Sequence, residues 1–346
     1  MTQGRAVRPW LQGTTEPLSA MYDVALLDLD GVVYLGPDPI DGVPEVLAKV
    51  RGTGMRLAFV TNNASRAPAA VAEHLAALGV PARVEDVVTS SQAAATLVVE
   101  RLGAGASVLV TGSPALRQTV EEAGLRPVAS ADDRPDAVVQ GFWSQLCYAD
   151  LAEAALAVRA GALWVATNVD STLPSPRGLL PGNGSLTGVV RAVTGKVPVV
   201  AGKPALPLHA EGVRRTSARR PLVVGDRLDT DIEGANVAET PSLLVLTGVT
   251  TPTDLLTAIP THRPSYLASD LAALLEPAPD VDVADRLVRC GAATARSHDG
   301  YGDGIEVDGG PAIDALRALL GLVWSIRDSG ADCSGAREAL ERLGMG

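Results

Sequence analysis

Residues 24–32 read Val-Ala-Leu-Leu-Asp-Leu-Asp-Gly-Val, and no other stretch limits the possible folds as much. Four apolar residues in succession describe a strand buried on both faces, as in the interior of a parallel sheet. The run then breaks into two carboxylates two residues apart, followed by glycine. In an extended chain residues i and i+2 point to one side. Asp28 and Asp30 are therefore expected to face one spot beyond the carboxyl end of a buried strand, where open α/β sheets bind their ligands. Two like charges so placed are unfavourable unless a cation or a shared proton relieves them.

Strand and helix alternate from there. A helix is expected over 44–50, a strand over 56–60, a helix over 68–78, a short strand over 86–88 and a helix over 91–102. Gly103-Ala104-Gly105-Ala106 reads as a hinge, after which the alternation restarts. Strands are expected over 107–110, 137–140 and 163–166, helices over 114–123 and 149–160, with closure near Gly195. Strands over 197–200 and 222–224 should resume the first sheet, and 243–246 should be its last strand. The class is α/β: a doubly wound parallel-sheet core, 21–103 and 196–276, carrying an inserted α/β domain at 104–195. Residues 1–20 read as a flexible polar tail. Pro277-Ala278-Pro279 marks a boundary before a small C-terminal extension, 281–346. Helical patches are expected there at 283–288, 312–325 and 336–343, around a glycine-rich stretch at 300–310.

Composition narrows the function. Forty acidic residues against 29 Lys and Arg give a net charge of −11. That argues against nucleic acid or an anionic membrane as a partner, and a phosphorylated substrate would need a local metal or lysine. No apolar run approaches the roughly 18 residues of a membrane span, and the first twenty residues lack the apolar core of a signal peptide. Cys147, Cys290 and Cys333 show no metal-like or redox-like spacing. A cytoplasmic protein is expected.

Four polar clusters stand at or near the carboxyl ends of expected core strands. They are Asp28-Leu29-Asp30-Gly31, Thr61-Asn62-Asn63, Gly202-Lys203-Pro204 and Gly225-Asp226-Arg227-Leu228-Asp229-Thr230-Asp231. In a parallel sheet such ends share one edge. Together they supply paired carboxylates, a third acid, an amine and a hydroxyl, which suits a divalent cation and a phosphoryl group. Oxygen ligands without His or Cys favour magnesium. Each cluster alone has a plain structural reading: a turn and helix cap at Thr61-Asn62-Asn63, a turn with a solvated lysine at Lys203, a strand-end turn at Gly225-Asp226. Their joint order argues for chemistry.

In that order the clusters resemble the four motifs of the haloacid dehalogenase (HAD) superfamily. The insertion between the second and third clusters, the string FVTNNAS and the string GDRLDTDI are similar to its class IIA phosphatases. The Ala-, Arg- and Val-rich wording and the extension resemble the glycerol-3-phosphate phosphatases of high-GC actinobacteria. The resemblance implies a magnesium-dependent phosphomonoester hydrolase acting through an aspartyl-phosphate. Asp28 would be the nucleophile and Asp30 the general acid and base. Mg2+ would sit on Asp28, the Asp30 backbone carbonyl and Asp226, with Asp231 in support. Thr61, Asn62 and Lys203 would hold the phosphate. The insertion would act as a cap, with Asn168 and Asp170 of the 167–174 loop facing the substrate.

Glycerol 3-phosphate is the expected substrate. The alternatives are 2-phosphoglycolate, a broad p-nitrophenylphosphate-type specificity, or a non-catalytic scaffold on the same fold. The implied partners are a small phosphorylated metabolite and neither nucleic acid nor membrane, with a homodimer left open. One departure from the family pattern is Trp143, standing where relatives carry an acidic residue. The extension resembles a fragment of the acetyltransferase (GNAT) fold, too short for a whole domain. It is read as a packing or regulatory element.

Overall fold

The computed structural model describes residues 10–345 except 174, 176, 285, 299–303 and 332. Residues 1–9 of the tail expected over 1–20, Pro174 at the end of the 167–174 loop and part of the 300–310 stretch lie outside the described residues. The chain packs as two compact units, one drawn from 1–57 and 219–346, the other from 58–218. Their boundaries differ from those expected at 103/104 and 195/196, because residues 58–103 and 196–218 cluster with the inserted segment.

In the first unit four parallel strands lie in the order Tyr266–Ala268, Ser242–Val245, Pro221–Gly225, Val24–Leu27. Val24, Ala25, Leu26 and Leu27 are all buried, and each of the larger side chains contributes about 1.5–3 kcal/mol. Leu27 stands opposite Val224, and Asp28 N donates to Val224 O at 2.8 Å. The carboxyl ends of these two strands are thus side by side. The strand expected to be last is followed by one more, Tyr266–Ala268, too short after Pro264 to show a period.

Residues 10–20 are not a tail. Leu11 N donates to Pro264 O (3.2 Å), Gln12 N to Ser265 O (2.7 Å) and Thr14 N to Ala278 O (2.8 Å). The Trp10 ring meets Trp324 edge-on at 5.3 Å. Trp10, Leu11 and the fully buried Leu18 dock the segment.

The extension also differs from expectation at its start. The described residues of 283–288 are not helical. Val281–Ala284 and Leu287–Cys290 are strands of a four-stranded antiparallel sheet completed by Ala293–Ser297 and Ile305–Asp308. Val288, Cys290, Ala293 and Ala295 are buried while Arg289 and Arg296 are exposed. That is the period of two of a half-buried strand. Helix Ala312–Asp328 packs on this sheet, and helix Ala336–Arg342 follows. Leu316, Leu319, Leu320, Val323 and Trp324 of the extension share one core with Leu244, Leu255, Leu256 and Leu267. Trp324 Nε1 donates to Leu255 O at 2.8 Å.

Strand Arg56–Thr61, whose residues from Ala58 on belong to the second unit, ends with Thr61 opposite Thr89 of the parallel strand Val87–Thr89. Thr89 starts helix Ser90–Leu102 with a capping box: its Oγ1 accepts from Gln92 N, and Gln92 Oε1 accepts from Thr89 N. A separate five-stranded sheet, parallel throughout, has the order Val199–Val200, Leu163–Ala166, Ala137–Gln140, Ser107–Thr111, Arg126–Val128. Val199–Val200 therefore does not resume the first sheet. Helix Asn183–Thr194 carries the chain back so that Val199 pairs with Val165, an ordinary crossover between parallel neighbours. Gly184 and Gly188 inside that helix hide its signal in the sequence. The α/β class holds: parallel sheets flanked by helices. Among the described residues no helix is long and apolar enough to cross a membrane.

Candidate active site

The first unit gathers three carboxylates. Asp28 follows strand Val24–Leu27 and Asp226 follows strand Pro221–Gly225, its immediate neighbour. Asp231 returns from the single wide turn Leu228–Ile232. One oxygen from each lies within 4.8 Å of the other two. Asp226 and Asp231 are 0% and 1% exposed, and Asp28 is half-buried.

Backbone donors and bare backbone shape this cluster. Val249 N donates to Asp226 Oδ2 at 2.6 Å, Thr250 N to Asp226 O at 3.2 Å and Arg227 N to Asp231 Oδ2 at 3.2 Å. A Cβ on Gly31 would stand 2.5 Å from Asp226 Oδ2, and one on Gly248 would stand 2.1 Å from it. Gly31 also has φ 89°, a conformation that suits glycine. Thr247 Oγ1 donates to Gly31 O at 2.6 Å, tying the two loops together. The loop Thr247-Gly248-Val249-Thr250 escaped sequence reasoning, although a small polar cluster just after strand Ser242–Val245 was the available signal.

Three like charges this close need a cation or a proton to coexist. Hard oxygen donors, two of them buried, fit magnesium or calcium and not zinc. Asp30 is not among the three. It is exposed, and the chain leaves the extended form there, with Gly31 N donating to Tyr34 O at 2.8 Å. The period of two thus holds at Asp28 and ends at the turn.

The second unit gathers the other expected residues around Asn62. Thr61 is buried, and its Oγ1 accepts from Asn63 N at 3.1 Å. Asn62 Oδ1 accepts from Lys203 N (2.8 Å), while its Nδ2 donates to Lys203 O (3.2 Å) and to Asp170 Oδ2 (3.4 Å). Asn62 O accepts from Asn168 Nδ2 (2.8 Å) and from Ser90 Oγ (2.7 Å). Lys203 Nζ donates to Val60 O at 3.3 Å. Lys203 precedes a cis proline, Pro204. A Cβ at Gly202 would meet Asn62 Oδ1 and Thr167 O, each at 2.5 Å. Lys203 follows strand Val199–Val200 of the five-stranded sheet, not a strand of the first sheet. Ser90 and Asn183 are additional polar members. Asn183 Nδ2 donates to Asn168 O at 2.7 Å, and in sequence it is masked by its glycine-rich setting. Trp143 is only half-buried in the loop after Gln140.

Three clustered carboxylates, two of them buried, just beyond two adjacent parallel strands are what a metal-dependent hydrolase requires, and the chain belongs to the haloacid dehalogenase-like hydrolase family. Its residues 25–126 match the haloacid dehalogenase-like hydrolase model and 200–274 a second HAD-hydrolase-like model. It is 50% identical over 311 residues to the D-glycerol 3-phosphate phosphatase of Mycobacterium tuberculosis, covering 88% of this chain and 87% of that protein. The glycerol phosphate phosphatase structure from M. tuberculosis in complex with magnesium superposes with a TM-score of 0.83 at 44% identity, covering 96% of this chain and 99% of that one. A 4-nitrophenylphosphatase from Thermotoga maritima gives a TM-score of 0.69 at 32% identity, over 75% of this chain and 98% of that one.

Proposed function

We propose that this chain is a magnesium-dependent phosphomonoester hydrolase whose first substrate is glycerol 3-phosphate. The observation that carries the reading is the trio Asp28, Asp226 and Asp231, with oxygens within 4.8 Å of one another, the first two at the ends of adjacent strands and the third in the turn that follows. The similarity to the M. tuberculosis phosphatase supports the choice of substrate. Activity toward 4-nitrophenyl phosphate is the second reading, favoured by the similarity to the T. maritima enzyme.

Asp28, Asp226 and the Asp30 backbone carbonyl would hold Mg2+, and Asp231 would join or brace them. When bound, the cation offsets their charge and polarises the phosphoryl oxygens. Asp28 attacks phosphorus, and the departing alkoxide takes a proton from the Asp30 carboxyl. Asp30, exposed to water, then accepts a proton from the water that attacks the aspartyl-phosphate, releasing phosphate and restoring Asp28. Lys203 supplies positive charge to the phosphoryl oxygens, Thr61 its hydroxyl and Asn62 its backbone N–H. Residues 104–195 serve as the cap, and Asn168 and Asp170 read the hydroxyl groups of the alcohol. A cytoplasmic setting belongs to the same reading, in keeping with cysteines that form no disulfide among the described residues.

The test is phosphate release from a panel of small phosphomonoesters, with magnesium and with chelator. Magnesium-dependent turnover of glycerol 3-phosphate above phosphoglycolate, nucleotides and pyridoxal phosphate is expected. Even turnover across the panel would overturn the substrate, and no release from any member would overturn the hydrolase in favour of a scaffold. Light scattering on the same preparation reads whether the active form is a homodimer.

A further inference from the structure

The Asn62 side chain does work that a phosphate-binding backbone does not require. Its amide forms a closed pair with the backbone of one residue, accepting from Lys203 N at 2.8 Å and donating to Lys203 O at 3.2 Å. A primary amide is the one short side chain that offers an acceptor and a donor side by side. The same Nδ2 reaches Asp170 Oδ2 at 3.4 Å, and the Asn62 carbonyl takes two donors, Asn168 Nδ2 and Ser90 Oγ. Gly202 is bare where a Cβ would strike Asn62 Oδ1. The approach of the 202–203 backbone to this amide is therefore built into the sequence on both sides. With the backbone fixed, the stem of Lys203 runs to a defined place, where Nζ donates to Val60 O at 3.3 Å.

We infer that Asn62 is a positioning residue: its side-chain amide fixes the Lys203 backbone and so aims the ammonium, and through Asp170 and Asn168 it ties that aim to the 167–170 loop. The inference rests on the hydrolase reading given above and adds to it a role for a side chain to which that reading assigns only a backbone N–H. Lysine is a point charge on a flexible stem. An amine misplaced by about 1 Å costs on the order of 100-fold in rate. The loss should fall on kcat, where charge develops, more than on KM.

Two substitutions test it in the full chain with magnesium and glycerol 3-phosphate. Asn62→Ala removes both bonds to Lys203. Asn62→Asp keeps the shape and the acceptor, loses the donor, and sets a second carboxylate against Asp170. Both should lower kcat about 10- to 100-fold with a smaller change in KM. A residue that merely supports the fold would lower the melting temperature and leave kcat of the folded enzyme unchanged. Wild-type kcat in either variant, or a loss that falls on KM in place of kcat, overturns the inference. If Asn62→Ala does not fold, the isosteric Asn62→Asp still decides. Failure of the underlying reading would look different: the unsubstituted chain itself would release no phosphate.

Discussion

Asp328→Ala should destabilise the first unit through a residue 65 positions away, Arg263. The Arg263 guanidinium is buried, and it makes a two-pronged bond to Asp328, Nη1 to Oδ2 at 2.6 Å and Nη2 to Oδ1 at 2.7 Å. Its Nε donates to Ala258 O at 3.2 Å, and its charge lies 5.2 Å from the Trp324 ring and 5.7 Å from the Trp10 ring. Removing one partner of a fully buried pair costs about 3–5 kcal/mol, because the other charge is stranded. The Asp328 side chain is 45% exposed, so solvent screening and incoming water reduce this to about 2 kcal/mol. For a unit of this size each kcal/mol moves the melting temperature by about 2–4 °C, so a drop of about 4–8 °C is expected. Thermal melting followed by tryptophan fluorescence reads the change directly, since Trp10 and Trp324 flank the pair. The double variant Arg263→Met/Asp328→Leu should recover most of the loss, as an apolar pair between two indoles needs no counter-ion. Melting of Asp328→Ala within about 1 °C of wild type would refute the reasoning. So would a double variant worse than the sum of the single ones.

Three further outcomes follow from the same geometry. Gly248→Ala should disrupt the acidic trio, since its Cβ would stand 2.1 Å from Asp226 Oδ2. Calorimetry should show weakened magnesium binding, with about 1–3 kcal/mol lost in stability, and unaltered binding would remove Gly248 from the cradle. Burial pushes the His209 imidazole below its ordinary value. The folded chain then binds fewer protons than the unfolded one, so stability present above about pH 6.5 is lost as pH falls from there toward the folded value. His209→Gln should flatten urea midpoints across that window, and an unchanged slope would contradict the assignment. Asp136 is held below the usual carboxylate range by the Ser107 hydroxyl and backbone N–H, at 2.6 and 2.8 Å. Its contribution is present above the ordinary carboxylate value and fades as pH falls through the lowered one. Asp136→Asn should therefore lower the urea midpoint at neutral pH and leave the acid-side midpoint near that of wild type.

The strand Val24–Leu27 and the acid after it were legible because an apolar run ending in a carboxylate has few other uses. Asp226 and Asp231 were legible with Asp28 by their placement after a second such run. Asp30 was harder, since a period of two holds only while the chain stays extended, and Gly31 turns it. The sheet to which Val199–Val200 belongs could not be read locally: two valines pair equally well with any parallel edge, and helix Asn183–Thr194 decides. In the extension, Val-Asp-Val-Ala and Leu-Val-Arg-Cys satisfy short helical and strand patterns alike. Only the packing of Val288 and Cys290 under helix Ala312–Asp328 selects the strand. The same packing means that 281–346 is no detachable appendage, because its removal would uncover Leu244, Leu255, Leu256 and Leu267. Trp10 was hidden by its polar neighbours until Trp324 and Arg263 supplied its partners.

The most direct test of the central claim is acid-quenched single turnover with radiolabelled glycerol 3-phosphate and magnesium. The account predicts label bound covalently to the protein, released by hydroxylamine as expected of an acyl phosphate, mapped to Asp28 and missing from Asp28→Asn. Phosphate release with no label on the protein, or label retained in Asp28→Asn, would contradict it.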